Sequence, residues 1–473
     1  TVPRGAVDCL CGIGYGIPSL DKGVYYMARL FGTDGVRGHA NTELGCELCV
    51  KLGRAAAYVL TKHTHHRPKI LIGRDTRLSG EMIEAALSAG LCSFGAEVHL
   101  LGVVPTPAVA CLVGAYHADA GIMISASHNP AEYNGIKIFD TNGYKIPDEY
   151  EEEIEALVLD GEVEIPLAAG DCVGTTHRCE QAVDDYVAHI LSTAEVRFDG
   201  IRALIDCANG SASVSAHKIF PALGAQADII CAEPNGININ LDCGSMHIEA
   251  LAQRVRDGDY DLGIAFDGDS DRILTCDAQG NIVDGDMLMA AFAIYMKEQG
   301  TLAHDTLVIT VMSNLGLVRC AEENGIRLET TKVGDRFVLE RMLEKGYTLG
   351  GEQSGHLILN NYATTGDGQL SAVQLLSMMK RTGRSLNELA SAMTVYPQVM
   401  ENVTVSKTAK GMLGTDRDIA QLIQKWEGRM AGDGRILVRA SGTEPLVRVM
   451  AEGKDIELIK RCVKELADAV RAL

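Results

Sequence analysis

The sequence predicts an α/β protein built from three similar mixed α/β domains and a smaller C-terminal α+β domain. Three observations support this prediction. The chain has 473 residues, too many for a single hydrophobic core. From residue 28 onward, short apolar runs alternate with helically spaced apolar residues, and this repeat of strand, polar turn and helix builds mostly parallel sheets. After Tyr396 and Pro397 the pattern changes to strand, helix, two strands and a final amphipathic helix.

The first domain is predicted to span residues 28–180. Ser79 begins a helical pattern that Gly95 ends, as Ser and Gly often do at the two ends of a helix. A second helical pattern begins at Pro105. The predicted strands of this domain are 69–72, 98–101, 120–124 and 136–139.

The other domains are predicted to span residues 181–281, 282–395 and 396–473. In the second and third domains, an apolar strand leads into a small polar turn and then a helix. The predicted strands are 201–205, 262–266, 306–310, 347–349, 403–405, 435–439 and 447–450. The C-terminal domain adds predicted helices over 416–430 and 456–470.

Composition limits the classes of function. The formal net charge of −20 argues against a nucleic-acid partner, although a few arginines can still hold a phosphate in an acidic protein. No apolar run approaches the ~20 residues of a membrane span, so no membrane partner is expected. The 14 cysteines lack the spacing of a disulfide framework and indicate the thiols of a cytoplasmic protein.

Residues 1–27 do not fit the α/β pattern. They lack the charged start and apolar centre of a secretory signal, and Met27 has the position of a natural start. We therefore expect this segment to be an extension outside the fold, either disordered or the product of a misread start.

A hydroxyl nucleophile follows the predicted strand 120–124. The run Ser125-Ala-Ser-His-Asn-Pro130 places Ser127 beside His128, and Lys137 begins the strand that returns next to it. Ser, Asn and Pro also favour ordinary turns, which is the alternative interpretation. A nucleophile, an imidazole and an ammonium on adjoining segments favour a reacting centre.

Three aspartates follow the predicted strand 262–266 at alternate positions: Asp267, Asp269 and Asp271. Their like charges repel, and a cation relieves that repulsion. Mg²⁺ prefers oxygen ligands and leaves a coordination position for a phosphate oxygen. A solvated acidic turn is the alternative. Arg272 adjoins the aspartates, so it can face a phosphoryl group in transfer.

A glycine-rich run and an N-terminal run supply further polar groups. In Gly350-Gly-Glu-Gln-Ser-Gly-His356, Glu352 and Ser354 offer hydrogen bonds suited to sugar hydroxyls, and a plain glycine-rich turn is the alternative. In Thr33-Asp-Gly-Val-Arg-Gly38, Arg37 is a further candidate for contact with phosphate.

The C-terminal domain contains a loop suited to binding an anion. In Arg439-Ala-Ser-Gly-Thr-Glu-Pro445, backbone N–H groups around Ser441, Gly442 and Thr443 can form an anion nest. Arg439 and Arg448 add guanidinium groups, which bind phosphate through two parallel hydrogen bonds. A polar hairpin is the alternative.

Taken together, these loops resemble those of the α-D-phosphohexomutase superfamily over residues 28–473. The four runs at Ser127, Asp267, Glu352 and Ser441 occur in the family's order, one in each domain. Gln353 makes this loop similar to that of the aminosugar branch of the family, because hexose mutases often carry Met in the loop. The resemblance implies four domains around a central cleft.

The resemblance also implies roles for the candidate residues. Ser127 would be the phosphoserine and would hold one Mg²⁺ per chain together with the three aspartates. Glu352 and Ser354 would bind the sugar. The non-reacting phosphate would be held by Arg439, Ser441, Gly442, Thr443 and Arg448.

The implied activity is that of an intramolecular phosphotransferase of the isomerase class. It would interconvert glucosamine 6-phosphate and glucosamine 1-phosphate through a 1,6-bisphosphate, a reaction that feeds UDP-N-acetylglucosamine and cell-wall synthesis. His128, Lys137 or His356 would move protons, and the sequence leaves that choice open. The expected partner is a small sugar phosphate. The sequence leaves open whether the chain forms a homodimer.

Three other functions remain open from the sequence. The first is a mutase of the same superfamily that acts on mannose or glucose phosphates. The second is a metal-dependent phosphatase similar to the haloacid dehalogenases, with Asp267 as nucleophile. The third is a sugar-phosphate sensor without catalytic activity.

Overall fold

The structure, a computed structural model, describes residues 30–32, 34–160, 164–406, 410–411, 413, 416–440 and 446–473. The predicted extension 1–27 lies outside the described residues. From Phe31 to Leu473 the chain forms one unit.

The first sheet is mixed. Its strands are β1 (Phe31–Gly32), β2 (Gly35–His39), β3 (Lys69–Arg74), β4 (Glu97–Val103), β5 (Ala120–Ile124), β6 (Tyr133–Phe139) and β7 (Thr176–Arg178). They lie in the order β1-β2-β6-β5-β3-β4-β7. Strands β3, β4, β5 and β7 run parallel to one another, whereas β6 returns antiparallel to β5 and β2. Four helices accompany the sheet: α1 (Cys46–Thr61), α2 (Gly80–Phe94), α3 (Thr106–Ala115) and α4 (Asp148–Leu159).

The second and third sheets repeat this plan. The second contains β8 (Arg202–Asp206), β9 (Gln226–Ile230), β10 (Leu262–Phe266), β11 (Ile273–Asp277) and β12 (Ile282–Val283), in the order β12-β11-β10-β8-β9. The third contains β13 (Thr306–Thr310), β14 (Arg327–Thr331), β15 (Leu349–Gly351) and β16 (Leu357–Leu359), in the order β14-β13-β15-β16.

The helices between and after these strands complete the second and third domains. They are α5 (Ala182–Ser192), α6 (Ala216–Ala222), α7 (Ile248–Asp257), α8 (Gly285–Glu298), α9 (Leu315–Glu323), α10 (Asp335–Lys345), α11 (Gly368–Thr382) and α12 (Leu386–Ala390). Short 3₁₀ segments lie at Gly170–Cys172, Ser211–Val214, Ser245–His247 and Ala303–Asp305.

The C-terminal sheet is antiparallel throughout. Strands β17 (Gln398–Thr404), β18 (Gly434–Ala440) and β19 (Leu446–Gly453) lie in the order β17-β19-β18. Helices α13 (Arg417–Met430) and α14 (Ile456–Arg471) pack against the sheet through residues such as Trp426 and Leu466. These elements confirm the predicted α+β pattern of this domain.

Each of the first three sheets changes from parallel to antiparallel at a hairpin. The hairpins are β5–β6, β10–β11 and β15–β16. These hairpins make each sheet mixed, as the predicted fold class requires, and the return of β6 beside β5 was expected. The hairpins of the second and third sheets were not predicted; there the chain turns straight back instead of crossing over through a helix. The three turns carry Ser127, the three aspartates and Glu352, so this topology positions the candidate site.

Among the described residues, two of the clusters of buried apolar side chains show how the domains are joined. One core runs through the first three domains and includes Phe139, Phe266 and Leu357, one from each domain. The C-terminal domain has a core of its own, which includes Trp426 and Val449. Apolar burial therefore joins the first three domains into one body and holds the fourth together separately.

Candidate active site

Ser127 lies at the turn between β5 and β6 and is fully buried. Its Oγ donates a hydrogen bond of 2.5 Å to Oδ2 of Asp267 and lies 3.4 Å from Nδ1 of His128. Its backbone N–H donates to Oγ of Ser125 at 2.9 Å. The predicted nucleophile and the predicted metal loop, which come from different domains, thus meet at one hydroxyl.

Arg77, which sequence reasoning missed, holds the Ser127 loop in place. Its buried guanidinium pairs through Nε with Oδ2 of Asp75 at 2.9 Å. The same side chain donates to backbone carbonyl oxygens of three loop residues: Ser127, Asn129 and Pro130. From the second domain, Nδ2 of Asn240 also donates to the Ser127 carbonyl, at 2.9 Å. The same nitrogen also donates to the Asn129 carbonyl, at 3.2 Å, so five bonds to backbone oxygens fix the turn that carries the hydroxyl.

The three aspartates form a buried cluster whose nearest carboxylate oxygens lie within 4.8 Å of one another. Burial and the charges of Asp271 and Asp269 raise the pKa of Asp267 well above its usual range. Among the described residues, Oδ1 of Asp269 and Oδ1 of Asp271 have no hydrogen-bond partner. Buried carboxylate oxygens without donors are costly, and a divalent cation would satisfy them. The donor set of this cluster therefore fits Mg²⁺.

Lys137 lies inside the acidic cluster and is almost completely buried. Its Nζ is 2.9 Å from Asp269 Oδ2, 3.1 Å from Asp271 Oδ2 and 3.2 Å from Asp34 Oδ2. Burial opposes the charge of the ammonium, but these three carboxylates raise the pKa of Lys137 well above its usual value. Lys137 is therefore a fixed positive charge at neutral pH.

A line of charged groups leads from Asp34 to His356, and sequence reasoning missed its middle members. Lys145 Nζ lies 2.5 Å from both Asp34 Oδ1 and Asp335 Oδ2. Asp335 Oδ2 lies 3.5 Å from His356 Nε2. Asp335 directly follows a glycine after strand β14, and this pattern of strand, turn and acid could have revealed it.

His128 and Arg272 contact each other beside Ser127. Nη1 of Arg272 lies 3.1 Å from Nδ1 of His128. Burial, then the positive charges of Arg272 and Arg37, lower the pKa of His128 to about 4. The imidazole is therefore neutral at neutral pH. Arg37 in turn pairs with Asp34 and donates to the Ala126 carbonyl at 3.4 Å.

His356 is buried at the edge of the aspartate cluster. Its Nδ1 lies 3.8 Å from Asp271 Oδ2, and its Nε2 accepts the backbone N–H of Gly366 at 3.1 Å. An imidazole nitrogen that accepts a hydrogen bond carries no proton. This geometry places the ring proton on Nδ1, facing Asp271.

The Glu352 loop packs directly against the end of the aspartate loop. Oε1 of Glu352 accepts the backbone N–H of Gly334 at 3.0 Å, whereas Ser354 is exposed. The carbonyl of Gly355 accepts the backbone N–H of Ile273 at 3.0 Å. The structure thus brings together the predicted loops of the first three domains.

The predicted anion loop belongs to the fourth sheet. Arg439 and Arg448 are directly opposite each other in strands β18 and β19. Burial and the charge of Arg448 lower the pKa of Arg439. Like charges at opposed positions are unfavourable, and an anion between them would reverse that effect. The residues between the strands, Ser441, Gly442 and Thr443, lie outside the described residues.

Family models match the chain in four consecutive segments. They are the phosphoglucomutase/phosphomannomutase α/β/α domains I, II and III, over residues 28–164, 184–280 and 284–396, and the C-terminal domain over residues 400–469. Each of the first three covers one of the loops that meet at Ser127. The chain belongs to the phosphoglucomutase/phosphomannomutase family.

Individual relatives indicate which members of this family the chain is similar to. The phosphoglucosamine mutase of Acetivibrio thermocellus is 53% identical over 444 residues, which cover 94% of this chain and 99% of that protein. A phosphoglucomutase/phosphomannomutase family protein from Burkholderia thailandensis has the same fold, with a TM-score of 0.77 at 23% identity over 94% of this chain and 97% of that one.

A third comparison comes from a structure that was solved with ligands. The N-acetylphosphoglucosamine mutase of Aspergillus fumigatus, in complex with GlcNAc-6P and magnesium, gives a TM-score of 0.68 at 16% identity over 94% of this chain and 95% of that chain. At this identity the match shows the fold. Within the described part of this chain, no helix has the length and apolar character that crossing a membrane requires.

Proposed function

We propose that the chain interconverts glucosamine 6-phosphate and glucosamine 1-phosphate, with Ser127 as the carrier of the phosphoryl group. The observation behind this proposal is the buried Ser127 hydroxyl, 2.5 Å from Asp267 in a cluster of three aspartates. The 53% identity to a phosphoglucosamine mutase supports glucosamine as the sugar. The product would feed UDP-N-acetylglucosamine and cell-wall synthesis.

Asp267, Asp269 and Asp271, with an oxygen on Ser127, would hold one Mg²⁺ per chain. Their unpartnered oxygens and mutual repulsion fit such an ion. When bound, Mg²⁺ would neutralise negative charge on the phosphoryl group in transfer. Lys137 keeps two of the aspartates fixed, because it bridges Asp269 and Asp271.

The reaction proceeds through two phosphoryl transfers at Ser127. In the first, the bond between phosphorus and Oγ breaks while a bond forms to the 1-hydroxyl oxygen of glucosamine 6-phosphate, which gives the 1,6-bisphosphate, and the proton of the 1-hydroxyl passes to the departing Oγ. This intermediate turns end over end. In the second transfer, the bond between phosphorus and the 6-oxygen breaks as the 6-phosphoryl group returns to Oγ. The serine proton passes to the 6-oxygen, which leaves glucosamine 1-phosphate. Arg272 stabilises the charge that is spread over the phosphoryl oxygens, and Arg37 adds positive charge nearby.

His128 is the proton acceptor that this geometry supports best. Lys137 is held as an ammonium and cannot accept a proton, and the Nδ1–H of His356 faces Asp271. His128 is neutral, and its Nδ1 lies 3.4 Å from Ser127 Oγ. We therefore assign His128 the transfer of the serine proton to the 6-oxygen of the sugar, a step in which this proton leaves its hydrogen bond to Asp267 Oδ2.

Two loops bind the remainder of the substrate. Glu352 and Ser354 contact the sugar hydroxyls. Arg439 and Arg448 hold the non-reacting phosphate, together with the loop residues Ser441, Gly442 and Thr443. The opposed positions of the two arginines support this role, because a phosphate can accept hydrogen bonds from both guanidinium groups.

The test of this function is a substrate panel combined with intact-mass measurement. The wild-type chain should carry one added phosphate and turn over glucosamine 6-phosphate faster than glucose or mannose 6-phosphate. Ser127→Ala should lack the phosphate and lose nearly all turnover, whereas the exposed Ser192→Ala should keep both. A phosphate trapped on aspartate, or retained activity in Ser127→Ala, would refute the assignment. A faster rate with mannose or glucose phosphates would change the sugar only.

The chain is further proposed to form a homodimer. Three apolar side chains are unusually exposed: Leu78 at 72%, Ile237 at 64% and Leu241 at 63%. The Leu78 N–H donates to the carbonyl of Gly236, so these residues belong to neighbouring loops. Such a patch favours a protein contact. Light scattering should give twice the mass of one chain, and Ile237→Ser should lower it.

The proposed location is the cytoplasm, and the proposed domains span residues 28–180, 181–281, 282–395 and 396–473. The location is supported by the cysteines of the described residues, which are all free thiols. The third boundary, between residues 395 and 396, is supported by the separate core of the C-terminal domain.

A further inference from the structure

A second cluster of potential metal ligands lies at the carboxyl edge of the second sheet. Asp206 ends strand β8, Cys231 directly follows the parallel strand β9, and Cys243 lies in the loop before α7. One carboxylate oxygen and the two sulfur atoms lie within 4.8 Å of one another. These three residues, which we call the thiol cluster, share no residue with the aspartate cluster beside Ser127.

The donor atoms of the thiol cluster select a different kind of metal from the aspartates. Two thiols and a carboxylate are typical ligands of Zn²⁺ and related soft cations, whereas Mg²⁺ prefers oxygen alone. Asp206 and Cys243 are each only 3% exposed, and Cys231 is partly exposed. An ion can therefore enter at Cys231 and bind ligands that are otherwise shielded from water.

The ligands of the thiol cluster are already oriented. Both oxygens of Asp206 accept backbone N–H groups, from Ala208 at 2.8 Å and from Gly244 at 2.9 Å. Groups that hold a ligand in this way are typical of metal sites.

We propose that Asp206, Cys231 and Cys243 bind a thiophilic divalent cation such as Zn²⁺, with water in the fourth position. The two thiols each form a bond from sulfur to the metal and release one proton, so no oxidant or reductant is needed. The bound ion ties together the ends of β8 and β9 and the loop before α7. That loop includes Asn240, whose side chain donates to the Ser127 carbonyl. The ion is therefore structural, and it fixes a segment that contacts the reactive loop.

Cobalt provides a direct test on the full chain. The reduced protein, kept in excess Mg²⁺ without oxygen, is titrated with Co²⁺ and then with Zn²⁺. Cobalt bound by thiolates gives an intense near-ultraviolet charge-transfer absorption that an all-oxygen site cannot give. We expect one such equivalent per chain, displaced by Zn²⁺, and a higher Tm with Zn²⁺ bound.

Variants assign this signal to the thiol cluster. Cys231→Ser and Cys243→Ser should each lose one equivalent of the absorption and the gain in Tm, whereas the exposed Cys172→Ser should keep both. Cys231 is partly exposed, so its replacement should leave the fold intact, and circular dichroism checks this. An unchanged absorption in Cys231→Ser would overturn the proposal. So would a fully reduced protein in which added cobalt gives no such absorption.

Discussion

At the scale of single residues, the position of Ser127 depends on neighbours that take no part in the reaction. Its backbone has a left-handed φ of 53°, which costs a non-glycine residue about 1–2 kcal/mol. Such strain persists only where surrounding contacts impose it. Here they are the bonds of Arg77 to three loop carbonyls and those of Asn240 to two. The orientation of the Ser127 hydroxyl is thus set by Arg77 and Asn240, which bind the backbone of its loop.

Arg77→Lys tests this scaffold. An ammonium cannot reproduce the planar fork that serves Asp75 and three carbonyl oxygens together. We expect kcat to fall by at least about 10-fold with KM nearly unchanged, because a misplaced reacting group weakens the transition state more than substrate binding. Steady-state kinetics and the phosphate content of Ser127 measure this effect. The exposed Arg256→Lys is the control.

Arg77→Ala separates stability from alignment. It leaves the buried Asp75 without its partner, which should cost about 3–5 kcal/mol of unfolding free energy. Arg77→Lys retains a positive charge and should lose less. If both variants lowered kcat and stability in the same proportion, Arg77 would serve the fold alone.

The protonation of His128 gives a second test at this scale. Its pKa is lowered to about 4, below the usual value of 6.5, so the unfolded chain binds this proton more readily than the folded one. The resulting stability is fully present above about pH 6.5 and declines as pH falls towards 4. A ¹⁵N-histidine NMR titration, with His128→Asn to assign the resonance, should give a midpoint near 4. Arg272→Gln should raise it, and an unshifted midpoint near 6.5 would contradict the neutral imidazole.

The residues that sequence patterns identify and those that they miss differ in one respect. Ser127 and the three aspartates belong to short runs whose chemistry is visible locally. Arg77 and Lys145 act through partners far away in the chain, such as Pro130 and Asp335. Since a single sequence does not show which distant segments meet, these roles could not be predicted from it.

At the scale of elements, the three hairpins explain why the reactive loops converge. The strands themselves were predicted closely; 262–266 and 306–310 agree with β10 and β13 at both ends. Strand β6 begins at Tyr133, earlier than the predicted residue 136. The prediction began later because Asn134 and Gly135 are typical turn residues. Gly135 is nevertheless required there, since a Cβ would lie 2.5 Å from the Ser125 carbonyl oxygen.

Gly355→Ala tests the contact between the hairpin turns of the second and third domains. Gly355 has a φ of 92°, and a Cβ there would lie 2.0 Å from the carbonyl oxygen of Ile273. We expect a lower Tm and a reduced kcat/KM, because the Glu352 loop must move away from the aspartate loop. Gly300→Ala is a matched control, since Gly300 has a φ of 71° with no atom within 4 Å of the added Cβ.

The control should lose only the backbone cost, about 1–2 kcal/mol, and keep full activity. Equal losses of activity in the two variants would show that strain alone accounts for the effect. A loss confined to Gly355→Ala would assign it to the packing of the two loops.

At the scale of the whole molecule, the junction between the third and fourth domains is polar and buried. Glu452 of β19 accepts the backbone N–H of Leu315 at 3.0 Å and pairs with Arg435 at 2.8 Å. Asn314 donates to the Tyr396 carbonyl at 3.0 Å. Arg319 and Arg435 add bonds to the carbonyl oxygens of Gly432 and Ser313, at 2.7 and 2.8 Å, so several polar bonds link the two domains. Sequence patterns gave no sign of this junction.

Asp286 makes this junction sensitive to pH. It lies buried at the start of α8, and its Oδ2 accepts the backbone N–H of Asn314 at 2.6 Å. Burial, then the charge of Asp284, raises its pKa to about 8. The folded chain therefore binds this proton more tightly than the unfolded chain, so the contribution to stability is greatest at low pH and is lost as pH rises towards 8.

Asp286→Asn removes this titration and keeps the shape of the neutral side chain. The Tm of the wild-type chain should fall between about pH 4 and 8, and the variant should show a smaller fall. Thermal unfolding at several pH values measures both curves, with the exposed Asp160→Asn as the control. Parallel curves for wild type and Asp286→Asn would mean that the carboxyl group stays ionised in the fold and that its protonation does not contribute to stability.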